Sequence, residues 1–390
     1  MLYKEVIMAI RVNPRLIDDL ERFGAEDVQF CYHCGDCSTV CFHSDQMYRF
    51  PRKSMRFLQM GLGRKIETTL EPWLCYYCGQ CSEQCPREAD PGETMMSLRR
   101  WLISRYDITG IARLFFKSLT TEILAVIGVA VLTGAFLLYY GLSQGNFSIY
   151  DGEGAFLPSH FIHSFDLLVG ACLAVFLLIN AVRMWFFVMV RGTSFPVPWW
   201  LYLKKLYLMV WHFFSQRRYA ECKSTRPTKI FMPWIVHLGL MLGYIIMLVL
   251  VMVFIEKLQS GPRIDWSVHI FGYLASVGLI IGTIYFIRKR ISRKNYVQYK
   301  KSHSTDWVFV ILLFMIVLTG ICQHIFHRTG LNELANGTYI IHLMAVVPWL
   351  LRMPFSKWSH LVYRPLAMYF AEIRRDALER QDAVLPSYSY

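Results

Sequence analysis

Residues 31–41 read CYHCGDCSTVC and residues 75–85 read CYYCGQCSEQC, so eight of the eleven cysteines stand in two copies of one pattern. Two Cys-x2-Cys-x2-Cys-x3-Cys runs indicate a pair of 4Fe-4S clusters, because the first three cysteines of a run bind one cubane and the fourth binds the other. We therefore predict that each cluster takes three ligands from one run and one from the other. The predicted sets are Cys31, Cys34, Cys37 and Cys85 for cluster 1, and Cys75, Cys78, Cys81 and Cys41 for cluster 2.

Structural zinc and disulfides are the two other roles for so many cysteines. Zinc commonly takes two separated cysteine pairs and has no use for a third cysteine at the same spacing. Disulfide frameworks belong to small secreted domains. One detail departs from bacterial ferredoxins, since Phe42 follows the first run whereas Pro86 follows the second. The number and spacing of the cysteines still favour iron–sulfur clusters over both alternatives.

The rest of the chain has the composition of a membrane protein. Of its 390 residues, 55% are hydrophobic and 15% are aromatic, which is too apolar for a soluble chain of this length. Six apolar stretches each approach the ~20 residues needed to cross a bilayer. They lie at about 122–142, 161–190, 230–255, 267–287, 307–326 and 338–353. The charged amino-terminal segment has no signal-peptide apolar core, so we expect the amino terminus to stay in the cytoplasm.

The basic residues that give the net charge of +13 are placed in the pattern that sets membrane topology. Lys and Arg concentrate in the loops 191–229 and 288–306, whereas the loops on the opposite side hold only Lys257, Arg263 and Arg328. The positive-inside rule therefore predicts a multi-pass protein of the inner (cytoplasmic) membrane, with the cysteine runs and the basic loops in the cytoplasm. Because topology explains the basic residues, we expect no nucleic acid partner.

The segments around the cysteine runs show helical patterns and no strand alternation. Helices are predicted to begin at Pro51 and at Pro91, the second ending near Tyr106. We therefore predict an all-α fold, in which a helical two-cluster ferredoxin domain precedes a bundle of six transmembrane helices. The predicted parts are residues 1–106 for the cluster domain, 107–366 for the membrane domain and 367–390 for a cytoplasmic tail.

A seventh apolar stretch is interrupted by Lys204 and Lys205. Two adjacent charges within an apolar segment are typical of a helix that lies along the membrane surface, where lysine side chains reach the headgroups. We predict such an interfacial helix at about 196–214.

Histidines within the apolar spans are candidate haem ligands, because polar residues in the hydrocarbon region are costly and usually functional. His342 and His360 are 18 residues apart, which would be five turns and about 27 Å along one continuous helix. On the cytoplasmic side, His237 in the third span is the available partner for His360. We therefore predict an inner b haem between His237 and His360, and an outer b haem at His342.

We choose the second ligand of the outer haem by comparing the expected depth of each histidine in the membrane with that of His342. Five histidines lie near the outer ends of the spans: His160, His163, His269, His324 and His327. His163 and His269 each lie about one turn inside their spans, close to the depth of His342. We choose His163 and keep His269, His324 and His160 as alternatives.

Two parts of the chain resemble known families. Residues 31–100, with CYHCGDC, FPRKSM and WLCYYCGQCSEQCPREADPGE, resemble the iron–sulfur C subunit of heterodisulfide reductases. Residues 230–366, with IVHLG and IIHLMAVVPWLLRMPFSKWSHLVYRP, resemble the cytochrome b gamma subunit of respiratory nitrate reductases. The fusion of the two resembles the membrane-spanning C subunit of quinone-interacting membrane-bound oxidoreductase (Qmo-type) complexes. Only the first two spans are matched loosely.

This resemblance implies two 4Fe-4S clusters, two b haems and flavoprotein partners similar to the heterodisulfide reductase A subunit. It also implies a lipid quinone or menaquinone as substrate, in anaerobic respiration such as sulfate reduction. The nitrate reductase pattern has a further histidine ten residues after the first, where this chain has Met247. That ligand therefore does not carry over, and Met247 is kept as another alternative to His163.

These features favour a membrane electron-transfer subunit that takes electrons from menaquinol and passes them inward through two haems and two clusters. Terminal catalysis would belong to a cytoplasmic flavoprotein or iron–sulfur partner. The alternatives are the same route in reverse, as a quinone reductase, and a structural membrane anchor. We predict the quinone site beside the outer haem, where titratable side chains can accept the protons of a quinol. The candidate residues are His342, Lys257, Glu256 and Asp166.

Overall fold

The computed structural model describes residues 11–145, 157, 159–221, 231–259, 265–292 and 301–384. Within these ranges the chain is helical and contains no strand, which confirms the predicted all-α class.

The amino-terminal part folds into eight helices around the cysteine runs. The central helix, α7, begins at Pro91 and ends at Tyr106, as predicted, and most of its residues are buried. The Asp90 side chain caps it by accepting a hydrogen bond from the Glu93 backbone N–H at 3.3 Å, which satisfies one of the free donors at a helix start. The eight helices are α1 Leu16–Glu21, α2 Asp36–Thr39, α3 Arg52–Gln59, α4 Gly63–Glu67, α5 Glu71–Leu74, α6 Gln80–Glu83, α7 Pro91–Tyr106 and α8 Ile111–Lys117.

Six helices in the described ranges are long and apolar enough to cross a membrane, which confirms the six predicted spans. They are α9 Leu119–Gln144, α10 Ser159–Trp185, α14 Phe231–Gln259, α15 Trp266–Ser292, α16 Ser304–Arg328 and α17 Asn332–Leu351. In the apolar segment of each of these helices, between 11% and 22% of the residues are buried inside the protein. This low burial is expected for helices whose outer faces contact lipid. The chain is therefore a multi-pass membrane protein.

The last span ends earlier than predicted, at Leu351. Two 3₁₀ turns follow, Met353–Phe355 and Lys357–Ser359, and a new helix, α18, runs over His360–Val384. Pro354 lacks the N–H needed to continue the α17 hydrogen-bond ladder, and Ser356 is fully extended with ψ −176°. The prediction that His342 and His360 share one continuous helix is therefore wrong.

Helix α18 is packed, and it includes residues 367–384 of the segment predicted as a cytoplasmic tail. Its residues Tyr363, Ala367, Phe370 and Ile373 are buried in the same core as the cluster domain. The Tyr48 hydroxyl also donates a hydrogen bond to the Ala371 carbonyl at 3.2 Å. The apolar face of α18 thus covers the iron–sulfur domain, and only residues 385–390 of the predicted tail lie outside the described ranges.

The predicted helix at 196–214 is two helices, α11 Trp199–Lys204 and α12 Leu206–Ser215, and α13 Arg217–Glu221 follows. The break falls at Lys205, whose ammonium pairs with Asp376 of α18 at 2.9 Å. Trp199, Tyr207 and Trp211 leave an exposed aromatic stripe along these helices. Such a stripe suits the boundary between headgroups and acyl chains, and the interfacial position itself stays a prediction.

One hydrophobic core joins the cluster domain to the membrane bundle. Met184 of α10, Phe187 of the π-helix Phe186–Arg191 and Tyr363 of α18 share it with Trp73 and Tyr106. We call the end of the bundle that packs on the cluster domain the cluster end, and the opposite end the far end. The core therefore extends across the boundary predicted at residue 106.

Candidate functional site

The two cysteine runs adopt the same backbone conformation. His33 and Tyr77 occupy equivalent positions and have φ values of 63° and 55°. Gly35 and Gly79 follow with φ values of 101° and 86° and begin the four-residue helices α2 and α6. Glycine suits these positions because a positive φ is costly for other residues. The first three cysteines of each run are therefore presented by the same local backbone conformation.

The fourth cysteine of each run lies with the other run. The Cys37 thiol is influenced electrostatically by Cys85 as well as by cysteines of its own run, and Cys41 by two cysteines of the second run. The structure therefore brings the predicted sets together. The first is Cys31, Cys34, Cys37 and Cys85, and the second is Cys75, Cys78, Cys81 and Cys41.

Burial in these groups opposes ionisation of the free thiols. Burial, together with the charges of neighbouring thiols, raises the pKa of Cys37 to about 11 and that of Cys41 to about 12. Such thiols become thiolates at neutral pH when a bound cation compensates their charge. Within the described ranges, no three His, Cys, Asp or Glu side chains converge tightly enough to hold a single metal ion. Cubane ligands need not converge on one point, because each cysteine binds a different iron.

The two cysteine sets differ in exposure. Cys34 of the first run is exposed, whereas Cys75 and Cys81 of the second run are buried. Tyr32 and Phe42 are also exposed beside the first run. The first run therefore faces outward, and the second faces the membrane bundle.

His237 and His360 meet at the cluster end of the bundle. Their ring centroids are 6.4 Å apart with an interplanar angle of 59°, although His237 lies on α14 and His360 begins α18. Two imidazoles that bind one iron from opposite sides have centroids about 6 Å apart, given metal–nitrogen bonds of about 2 Å. The pair therefore has the separation that a haem iron requires.

Both rings are held by their Nδ1 atoms. His360 Nδ1 donates to the Lys357 carbonyl at 2.5 Å, and His237 Nδ1 donates to the Gln216 side-chain oxygen at 2.7 Å. Metal-binding histidines usually donate their second ring N–H in this way, which fixes the tautomer and the ring orientation. The arrangement leaves Nε2 of each ring for a metal.

A cavity opens beside these two histidines. Its apolar walls suit a macrocycle, and its polar walls reach the cluster domain. The apolar lining includes Phe213, Met241, Phe286, Leu361, Pro365 and Met368. The residues present therefore fit a haem bound by His237 and His360.

Aromatic side chains connect this cavity to the second cysteine run. Tyr219 packs against His237 with centroids 5.9 Å apart and stacks on Tyr76 at 5.9 Å. Tyr76 directly follows Cys75. The Arg364 guanidinium lies 3.9 Å from the centroid of the Tyr76 ring and donates to the Cys75 carbonyl at 3.2 Å. The haem-ligand candidates and the second run are thus in continuous contact.

His342 lies on the side of α17 that faces α16. Its Nδ1 donates to the Thr319 hydroxyl at 3.0 Å, because that hydroxyl itself donates to the Met315 carbonyl at 2.7 Å. Gly320 makes room for the ring, since a Cβ there would lie 3.2 Å from the imidazole. His342 therefore has the same anchored Nδ1 as the cluster-end pair.

The possible partners of His342 lie in different places. The rings of His269 and His324 meet at the far end with centroids 5.9 Å apart. His324 Nε2, however, shares a hydrogen bond with the Tyr273 hydroxyl at 2.9 Å. His269 instead uses Nδ1, which donates to the Asp265 carbonyl at 2.9 Å. His269 thus keeps Nε2 for a metal, whereas His324 does not.

The remaining predicted residues lie on α10 and α14. His160, His163 and Asp166 occupy the first turns of α10, and the neighbouring Phe161 and Ile162 pack near Tyr339 of α17. Met247 packs in an apolar cluster that includes Trp349 and Trp358. The last predicted residues, Glu256 and Lys257, belong to the end of α14, and their side chains are outside the described part of the structure.

Gln216, Tyr219 and Arg364 were missed by sequence reasoning. Gln216 follows α12 in a left-handed conformation with φ 46°, and no local pattern marks it as a partner for a histidine on another helix. Arg364 does have a signal, since it lies one turn after His360.

Comparison with known proteins supports the iron–sulfur part. Residues 27–89 match the family model of the 4Fe-4S dicluster domain. A protein of Archaeoglobus profundus that is described as like the C subunit of heterodisulfide reductase is 30% identical over 102 residues, which cover 26% of this chain and 54% of the relative. The chain thus spans about half the length of this curated relative, and no solved structure matches. The chain carries a 4Fe-4S domain, and the match indicates a redox role in electron transfer.

Proposed function

We propose that this chain is the quinone-reactive electron-transfer subunit of a membrane oxidoreductase complex. It takes electrons from menaquinol, carries them inward through two b haems and two 4Fe-4S clusters, and delivers them to a cytoplasmic flavoprotein similar to heterodisulfide reductase A. The bound haems and clusters supply one-electron transfer. The observation that carries the proposal is the His237–His360 pair, held 6.4 Å apart beside the second cysteine run.

The residues of the chain perform three tasks in this scheme. The Gln216 side chain and the Lys357 carbonyl orient the two imidazoles of the inner haem. Tyr219 and Tyr76 fill the space between His237 and the second cysteine run and exclude water from it. The exposed Cys34 edge of the first run leaves the clusters accessible to a soluble partner.

The proposed outer haem uses His342, with His163 as its second ligand and His269 as the main alternative. The quinone site lies beside it, with Asp166, Glu256 and Lys257 as candidate contacts. Quinol oxidation releases protons, and groups that titrate near neutrality are suitable acceptors. Each electron moved inward crosses a membrane potential worth about 2.3 kcal/mol per 100 mV.

Reduction by a quinol tests the route. A menaquinol analogue added to the purified chain should reduce both haems and then the clusters, followed by haem absorbance and cluster EPR. In His237→Ala the outer haem should still be reduced, but cluster reduction should be lost. Dithionite is the control, because it must reduce the clusters of both proteins. Cluster reduction by quinol at the native rate in His237→Ala would contradict the route.

The side of proton release tests the direction of flow. Reconstituted in liposomes with its partner, the chain should acidify the outer side when quinol is added and respond to an uncoupler. Proton release on the inner side would place the quinone site at the cluster end.

A further inference from the structure

The cavity beside His237 and His360 has an unbalanced charge. Two carboxylates line it, Glu93 and Asp306, against six basic side chains. The basic residues are Arg99, Arg100, Arg290, Lys301, Lys357 and Arg364. Burying cations without matching anions is costly, so the partners of each group decide what the cavity can bind.

Both carboxylates already have cationic partners. Glu93 pairs with Arg100 at 2.8 Å and accepts a hydrogen bond from the Tyr77 hydroxyl. Asp306 pairs with Lys357 at 2.6 Å and with Arg100 at 3.6 Å. These contacts balance the charges of Glu93 and Asp306 with those of Arg100 and Lys357. Lys301 pairs with two acidic residues outside the cavity lining, Asp27 and Asp90.

Two of the remaining arginines contact the second cysteine run. Arg99 and Arg364 both donate to the Cys75 carbonyl, and both lower the pKa of the Cys75 thiol, although burial raises it more. Four thiolates give a cubane site a net negative charge, which these two guanidinium groups offset.

The remaining basic residue of the cavity lining is Arg290, and it forms no salt bridge within the described part of the chain. The residue is 9% exposed. Its Nη1 donates to the Phe286 carbonyl at 3.3 Å, and its Nε is buried with no hydrogen-bond partner among the described residues. Asp306 lies within electrostatic range of Arg290, but its single negative charge is already shared by Lys357 and Arg100, and its Oδ1 makes no hydrogen bond among the described residues.

The position of Arg290 relates it to the two histidines. Its guanidinium carbon lies 6.0 Å from the centroid of the Phe286 ring, and that ring meets His237 edge-on at 6.2 Å. Arg290 therefore lines the same cavity as His237 and His360 and is separated from His237 by the Phe286 ring. Arginine suits a carboxylate there because its planar fork can donate two parallel hydrogen bonds.

We propose that Arg290 binds a propionate carboxylate of the inner haem. This inference rests on the proposed function, because it requires a haem on His237 and His360. The propionate supplies the anion that Arg290 lacks, and Arg290 in turn fixes the rotation of the macrocycle about the axis through the two histidines. A positive charge there also favours the reduced iron, which carries one positive charge less.

The test compares Arg290→Gln with Arg288→Gln in the full chain. Arg288 lies two residues earlier on α15 and is exposed, so its replacement removes the same charge from the lipid or solvent face. Arg290→Gln should keep the two-histidine absorbance spectrum but lower the midpoint potential of the inner haem. It should also lose haem to apomyoglobin about tenfold faster, as expected for one lost charge-assisted hydrogen bond. Arg288→Gln should change neither, and Arg290→Lys should restore part of the potential.

The outcomes separate this inference from the proposed function. If Arg290→Gln matched Arg288→Gln in both potential and haem retention while His237→Ala removed the haem, the inference would be wrong and the inner haem site would stand. If His237→Ala left both haems in place, the site itself would be wrong, and the role of Arg290 with it. Should Arg290→Gln fail to accumulate, the native chain loaded with haem dimethyl ester replaces it. The ester should bind more weakly than haem, and equal binding would overturn the inference.

Discussion

The two ends of the membrane bundle present histidines in different surroundings. At the cluster end, His237 and His360 come from separate helices, and each is held by a residue outside its own helix turn, Gln216 or Lys357. At the far end, His269 and His324 contact each other and Tyr273, whereas His342, near the middle of α17, is held by Thr319. The cluster end is thus organised by packing against the iron–sulfur domain, whereas the far end depends on the span helices alone. The structure therefore brings one pair of candidate ligands together at the cluster end and leaves several separate candidates toward the far end.

The largest expected effect is loss of the inner haem. His237→Ala and His360→Ala should each remove the same one of two haems, because in the proposed function both rings bind a single iron from opposite helices. The measurement is haem content by pyridine haemochrome, with a redox titration to identify the remaining haem. Removal of different haems by the two substitutions would break the pairing.

Loss of the outer haem would sharpen the description of the far end. His342→Ala should remove this haem and leave the inner one, and His163→Ala should do the same if the predicted pairing is correct. His269→Ala is the matched comparison, since its Nε2 is also available. If the outer haem disappeared in His269→Ala and persisted in His163→Ala, the second ligand would be His269.

Loss of one cluster of two is the next effect. Cys85→Ala should remove the cluster held by the first run and leave the cluster of the second run, because Cys85 lies with Cys31 and Cys37. Cys41→Ala should have the converse effect. Iron analysis and EPR of the reduced protein measure both. Loss of the second-run cluster in Cys85→Ala would show that each run binds its own cluster.

A smaller effect concerns the stability of the cluster end. Glu122 of α9 pairs with Arg352 after α17, and their side chains are 0% and 5% exposed. Glu122→Ala leaves the arginine buried without an anion, which costs about 3–5 kcal/mol. We expect a lower thermal unfolding temperature in detergent.

The matched control is the half-exposed pair of Asp45 with Arg375 at 2.7 Å. Arg375→Ala should cost less than about 1 kcal/mol, because exposed ion pairs contribute little, and it leaves the backbone hydrogen bonds to Asp45 in place. Equal destabilisation by the two substitutions would mean that burial does not set the importance of these pairs.

Patterns that depend on local spacing could be predicted from the sequence. The cysteine runs, the six apolar spans and the helix from Pro91 to Tyr106 follow from residue periodicity and composition, and the structure has all three. The pairing of His237 with His360 was also proposed from the sequence, although it rested on a continuous helix that does not exist. The two rings meet because α18 starts at His360 and turns back onto the cluster domain.

Tertiary packing decided what local patterns could not. The turns between Leu351 and His360 follow from Pro354 and from the burial of Trp358 and Ser359, whereas the 18-residue spacing of His342 and His360 suggested one continuous helix. The sequence assigned residues 367–384 to a cytoplasmic tail, yet Ala367, Phe370 and Ile373 of this segment are buried in the core of the iron–sulfur domain. The hydrogen bond between Gln216 and His237 joins residues 21 positions apart. The excess of positive charge around Arg290 depends on side chains from α7, α15, α16 and the turn at Lys357. Hydropathy and spacing act along the chain, but ligand orientation and charge balance arise between helices that meet only in the folded protein.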